Sequence, residues 1–145
     1  MLRRLLAAAA LLGAAPFAMA DCEFTVEVGD GLQYSVTEMT AEKSCGTVKV
    51  TITHTGTLPA QGMGHNWVLS AASDVDSIAM DGISAGFDNN YLPPGDERIL
   101  ASTKLVGGGE SATVEFSVAD LAGDLMFFCS FPGHTALMKG TFKLV

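Results

Sequence analysis

From residue 22 onward the chain alternates. Phe24, Val26 and Val28 fall on one side, and Glu23, Thr25 and Glu27 on the other. Val48, Val50 and Ile52 alternate with Lys49, Thr51 and Thr53; His65, Trp67 and Leu69 share a face, as do Val114, Phe116 and Val118. The last run sets Met138, Gly140, Phe142 and Leu144 against Lys139, Thr141 and Lys143. Period two marks half-buried strands, read here as antiparallel. Turn residues separate the runs: Gly29-Asp30-Gly31, Gly56 to Pro59, Pro93-Pro94-Gly95, and Gly107-Gly108-Gly109 as a hairpin turn. The alternation breaks over residues 70–90. There Ser70 or Ser73 would cap a short helix through Ile78 and Met80, ended by Gly82 and Gly86. The expected fold is all-β: a Greek-key β-sandwich or barrel with one short helical flap around residues 70–86.

The first twenty residues read as an address. Arg3 and Arg4 precede an almost unbroken apolar run from Leu5 to Ala15, and Ala18-Met19-Ala20 is a small-x-small cleavage site. The run is short of the roughly 20 residues a spanning helix needs. The expectation is a secretory signal peptide over 1–20, cleaved after Ala20, and a single domain over 21–145. The arginine pair keeps twin-arginine export open beside the general route. No other segment is apolar enough to insert in a membrane, so the product is expected to be exported and soluble.

With 145 residues there is room for one domain and little more. Lys plus Arg is 8 against 16 Asp plus Glu, a net charge of -8. That balance excludes nucleic acid, whose phosphates demand basic patches.

Export changes the reading of the cysteines, which pair in an oxidising compartment unless something holds them. Cys22, Cys45 and Cys129 are an odd set. Cys22 and Cys45 bracket the first strands and could staple the N-terminus, contributing about 3 kcal/mol on the chain-entropy model. Cys129 is left as an intermolecular bridge, a reactive thiol or a metal ligand. Its neighbourhood, Cys129-Ser-Phe-Pro-Gly-His134-Thr-Ala-Leu-Met138, spaces cysteine, histidine and methionine as C-x4-H-x3-M between two predicted strands. Upstream, Met63-Gly64-His65-Asn66-Trp67 opens another strand with a histidine. Two His and one Cys in a plane with a long axial Met is the known donor set of blue-copper electron-transfer sites. Thiolate and thioether suit Cu(I), imidazole and thiolate suit Cu(II), and a site tolerable to both needs little rearrangement. Phe131-Pro132-Gly133 would stiffen the loop. Alternation puts His54 in phase with Val48, Val50 and Ile52, so it is read as a core histidine. With His65 and His134 as the remaining imidazoles, no open position is left for a substrate, and the chain is expected not to be an enzyme.

The stretches LPAQGMGHNWVLSAASD (58–74), DGISAGFDNNYLPPGDERILASTKLVGGGE (81–110) and MFFCSFPGHTALMKGTFKLV (126–145) resemble the azurins, type 1 blue-copper proteins of the cupredoxin fold, a resemblance that implies the bacterial periplasm. The resemblance covers essentially the whole of 21–145. It implies one copper ion per chain with His65, Cys129 and His134 as equatorial ligands, Met138 as a distant axial one and the Gly64 carbonyl opposite. It further implies a Cys22–Cys45 disulfide, hydrogen bonds from the Asn66 and Phe131 amides to the Cys129 sulfur, and an Asn66 side chain that ties the ligand loops. Leu32, Met63, Phe131, Pro132 and Gly133 would ring His134 as an apolar docking patch. The implied partners of a monomeric carrier are transient: c-type cytochromes and periplasmic reductases such as nitrite reductase. The sequence departs from the family at Thr55, where proline often follows the histidine, and is short over Ala122 to Leu125.

Two other functions use the same residues. A periplasmic copper-binding or delivery protein would want exchangeable ligands, whereas these lie inside a stiff loop. A thiol enzyme with Cys129 as nucleophile would want an orienting carboxylate or amide and an oxyanion hole, and none is evident. Zinc fits the same ligands and competes for them.

Overall fold

The computed structural model describes residues 21–145; the leader read over 1–20 lies outside the described residues. The alternating runs become strands: β1 (Glu23–Val28), β2 (Glu38–Ala41), β3 (Thr47–His54), β4 (Val68–Ala71), β5 (Ala101–Ser102), β6 (Ser111–Ser117), β7 (Leu125–Phe128) and β8 (Lys139–Leu144). They form two sheets, β1-β3-β6 and β2-β8-β7-β4-β5, stacked as a sandwich. Val26, Val28, Val48, Val50 and Ile52 from the first sheet meet Trp67, Leu69, Phe127 and Phe142 from the second in one core. The outer face of the first sheet is polar, with Lys49–Glu23 ion-paired at 3.0 Å and the Thr51 and Thr113 hydroxyls 2.8 Å apart.

Strand direction departs from expectation. β1 runs parallel to β3 and β2 parallel to β8, while the other pairs are antiparallel. Period two reports which face is buried and is silent about direction, so the alternation alone could not reveal this. A parallel neighbour needs a long crossover, and the disulfide reinforces one: Cys22, at the head of β1, is bonded to Cys45, in a 3₁₀ turn just before β3.

Gly107-Gly108-Gly109 is a crossing between sheets, not a hairpin turn. Val106 bridges to His65 of one layer, and β6 begins at Ser111 in the other. The Gly108 and Gly109 amides donate to the Leu58 and His54 carbonyls at 2.8 and 2.9 Å.

The helical flap is shorter than expected. A short turn, α1 (Ala60–Met63), precedes the His65 segment, and the main helix is α2 (Val75–Ala85). Residues 70 and 71 still belong to β4. Neither Ser70 nor Ser73 caps α2. The Ser70 hydroxyl donates to the Ala71 carbonyl, and Ser73 reaches the Asp74 carboxylate. Asp74 stands at the N-cap after a 3₁₀ turn. Gly82 does not end the helix but lies inside it, buried where any Cβ would strike the Tyr91 carbonyl; Gly86 ends it. Val75 and Ile78 pack with Val68, Leu92 and Phe128 into a second cluster over β4 and β7. Gly64 to Ser70 is buried on both faces: Trp67 and Leu69 lie in the main core, Val68 lies under α2, and Asn66 is held by Asn90 and Ser130. No helix among the described residues is long and apolar enough to cross a membrane.

Candidate metal centre

Three segments converge at one end of the sandwich. The first enters β4: a bridge between His65 and Val106, with N–H···O bonds of 3.1 and 2.8 Å, holds the chain in extended form. Gly64 just before it sits against α1, where a Cβ would collide with the Ala60 carbonyl oxygen. The second is the loop from β7 to β8. It closes on itself, with the Cys129 amide donating to the Met138 carbonyl (3.0 Å) and the Met138 amide to the His134 carbonyl (2.9 Å). The third is the turn after β1, whose Gly29 carbonyl lies 2.9 Å from His65 Nε2.

The convergence brings His65, Cys129 and His134 together, their ligand atoms all within 4.8 Å of one another. Cys129 Sγ lies 3.9 Å from His65 Nδ1 and 3.7 Å from His134 Nδ1. Because the Gly29 carbonyl accepts from Nε2–H, the neutral His65 ring turns a lone pair on Nδ1 toward the sulfur. His65, Cys129 and Met138 have no exposed surface, whereas His134 keeps 5%. Phe131 stacks on the His134 ring at 4.4 Å.

Electrostatics follows from burial. Desolvation pushes the Cys129 thiol up to about 11, against backbone N–H donation from Asn66 and Phe131, which favours the thiolate. Desolvation, with His65 beside it, pulls His134 down to about 4, and His65 is lowered by burial as well. At neutral pH the metal-free site therefore holds a protonated thiol and two neutral imidazoles. Metal uptake at pH 7 is then expected to release about one proton per ion, from Cys129, and apparent affinity to fall about tenfold per pH unit below that. Calorimetry in buffers of different ionisation enthalpy measures the count. The same shifts are expected to contribute to metal-free stability: the His134 contribution falls as pH drops from 6.5 toward 4, where the unfolded chain protonates His134 first. The Cys129 contribution falls above 9, where the unfolded chain loses the Cys129 proton first.

Asn66 and His54 lie against this group. The Asn66 side chain accepts from the Ser130 amide (2.9 Å) and donates to Ser130 Oγ (2.8 Å) and the Asn90 carbonyl (3.2 Å). His54 stacks on His65 with ring centroids 5.3 Å apart. Both His54 nitrogens are occupied, Nε2 at the Met63 carbonyl (3.2 Å) and Nδ1 at the Gly56 amide (3.1 Å). Leu32, Met63, Phe131 and Pro132 are half-buried and Gly133 is exposed. Three contributors escaped the sequence reading. Gly29 and Tyr34 act on the site from the turn after β1, and Asn90, at φ 55, turns its carbonyl to Asn66 and Ser130. The tolerance of asparagine for left-handed backbone, in the pair Asn89-Asn90, was the available signal.

Two borderline nitrogens and one soft sulfur, desolvated and with N–H donors aimed at the sulfur, fit copper in both oxidation states. A model of copper binding proteins, the plastocyanin/azurin family, matches residues 20–145. The chain is similar to the azurin of Bordetella pertussis, 49% identical with 100% of this chain and 99% of that protein covered. It is 46% identical to the azurin of Pseudomonas aeruginosa, covering 99% of each. The solved structure of the azurin Az-iso2 from Methylomonas sp. strain J superposes with a TM-score of 0.83 at 44% identity, covering 87% of this chain and 99% of that one. From its matched length, its sandwich and its buried His-Cys-His cluster, the chain belongs to the plastocyanin/azurin family of copper-binding proteins, blue-copper electron carriers.

Proposed function

We propose that the chain is a periplasmic one-electron carrier, exported with cleavage after Ala20 and working as a single domain over 21–145. His65, Cys129 and His134 would hold one copper ion, with Met138 and the Gly64 carbonyl as distant partners. When bound, the copper supplies a Cu(II)/Cu(I) couple that takes up and gives back one electron. The observation that carries the reading is the cluster itself: two imidazole nitrogens and a thiol within 4.8 Å, buried apart from the 5% of His134 left exposed.

The residues divide the work. Cys129, as thiolate, supplies soft donor charge, and the Asn66 and Phe131 amides draw part of it away. His65 is fixed in ring orientation by Gly29 and walled by His54. The closed loop from Cys129 to Met138 holds its ligands in place through either oxidation state, so little structure has to rearrange when the electron moves. Burial excludes water and leaves no position for a substrate. His134 is the member that reaches the surface, framed by Phe131 and Pro132, and its edge is where an electron would leave. Small apolar contacts of this kind suit transient redox encounters, here with c-type cytochromes or periplasmic reductases.

The test is the visible spectrum after adding Cu(II), before and after ascorbate. An intense band near roughly 600 nm that bleaches on reduction supports a copper–thiolate redox centre. A colourless protein that gives copper up quickly to a chelator would instead favour metal delivery.

A further inference from the structure

Asp30 follows Gly29 in the turn after β1, and its carboxylate reaches across to the turn after β3. It accepts from the Thr57 amide (3.0 Å), the Leu58 amide (2.9 Å) and the Thr57 hydroxyl (3.2 Å). On the other side of Gly29, the Val28 carbonyl accepts from the Thr55 amide (2.8 Å) and the Thr55 hydroxyl (3.0 Å). The two turns are therefore joined on both sides of Gly29. The Gly29–Asp30 peptide is trans, so one plane holds the Gly29 Cα, the Gly29 carbonyl, and the Asp30 nitrogen and Cα. One end of that plane is set by the preceding peptide, which Thr55 holds. The other end is the Asp30 Cα, from which the held carboxylate branches. Rotation about the line between these ends is limited by Gly56, where a Cβ would lie 2.8 Å from the Asp30 nitrogen. With its nitrogen edge against Gly56, the peptide turns its carbonyl edge to His65 Nε2, 2.9 Å away.

We propose that Asp30 is a positioning residue for His65: its carboxylate, clamped by Thr57 and Leu58, keeps the Gly29 carbonyl on the His65 Nε2 proton. The inference rests on the copper reading above for its redox consequence, though not for its geometry. A carbonyl on the far nitrogen fixes the ring and makes Nδ1 the more basic donor. Without the clamp the turn after β1 relaxes and the Nε2–H···O bond loosens. The ring then donates less strongly, and the reduced ion is favoured. Asp30 is exposed, and its negative charge favours the oxidised ion as well, but that contribution is screened by salt.

Two variants separate the clamp from the charge. Asp30→Asn keeps an Oδ1 that accepts from both amides and loses the charge, whereas Asp30→Ala loses both. In the metal-free form, exchange of the His65 Nε2 proton with water is followed by NMR, with the buried Trp67 Nε1 proton as the reference for opening of the core. It is expected to be roughly tenfold faster in Asp30→Ala and close to the parent's rate in Asp30→Asn. The copper-loaded form is measured at roughly 1 M salt, where the Debye length is about 3 Å. There the midpoint potential is expected to stay near the parent's in Asp30→Asn and to rise in Asp30→Ala. Asp30→Ala indistinguishable from Asp30→Asn in both exchange and high-salt potential would overturn the proposal, whatever happened to stability. If the parent protein shows no thiolate band, the copper reading fails and the metal-free exchange still decides the role of Asp30. Should Asp30→Ala not fold, Asp30→Glu keeps the charge and carries the carboxylate one methylene past the two amides. The same faster exchange is expected there, and the parent's rate would count against the proposal.

Discussion

Cys129→Ser is expected to remove the intense visible band completely and to weaken copper binding by more than about a hundredfold, the loss already known from deleting a mere outer partner of a ligand. A serine hydroxyl stays protonated at any working pH and is a hard donor where the couple needs a soft one. The fold should survive. The Asn66 and Phe131 amides that donate to Sγ can donate to an oxygen instead, so no buried N–H is orphaned. Absorption and copper titration test the first part and urea unfolding of the metal-free protein the second. Cys129 is the free cysteine among the described residues, so a band that persisted in the variant would have no thiolate to come from and would refute the assignment.

Trp67→Ala is expected to be the most damaging single change to the scaffold, at about 3–5 kcal/mol. Trp67 has no exposed surface and stacks between Phe116 and Phe127, with ring centroids at 5.7 and 5.9 Å, while Phe142 meets it edge-on. Removing the indole opens a cavity between the two sheets that these rings cannot collapse to fill. The melting temperature should fall by roughly 10–20 °C. Trp67→Phe should cost much less, for a reason beyond size. The buried Nε1–H has no hydrogen-bond partner, so deleting it returns a desolvation penalty of about 1–3 kcal/mol. Calorimetry on both variants checks the pair; equal losses would show that packing volume is not what Trp67 contributes.

Features set by neighbouring residues were readable from the chain. The strands at 23–28, 47–54 and 139–144 follow from local alternation, because successive side chains must point to opposite faces. The C-x4-H-x3-M loop was visible for a similar reason, since all its donors sit on one short connection. Features set by distant contacts were not. The face shared by His65, Trp67 and Leu69 was legible, but not that the opposite face is buried too, with Val68 under α2 and Asn66 held by Asn90 and Ser130. Strand direction in β1–β3 and β2–β8 depends on a crossover, which period two does not encode. Asn66 meets Asn90 and Tyr34 across 24 and 32 residues, contacts that no local pattern encodes.

The pairing of β4 with β7 has a consequence for the order of events during folding. His65 and Cys129 stand 64 residues apart and meet only when those strands have found each other. The full set of candidate donors therefore comes together only once those strands have paired, although Cys129, His134 and Met138 share one loop from the start. In the exported chain proposed above, Cys129 is until then a free thiol alongside Cys22 and Cys45, which do become bonded. Burial of Cys129 ends that exposure, because exchange requires a thiolate with access to the disulfide. Cys22 also lies at the far end of β1 from Gly29, about 20 Å along the strand from the metal end. The finished architecture keeps the structural bridge and the reactive sulfur apart by distance, so the window for a wrong bridge closes when the two sheets meet.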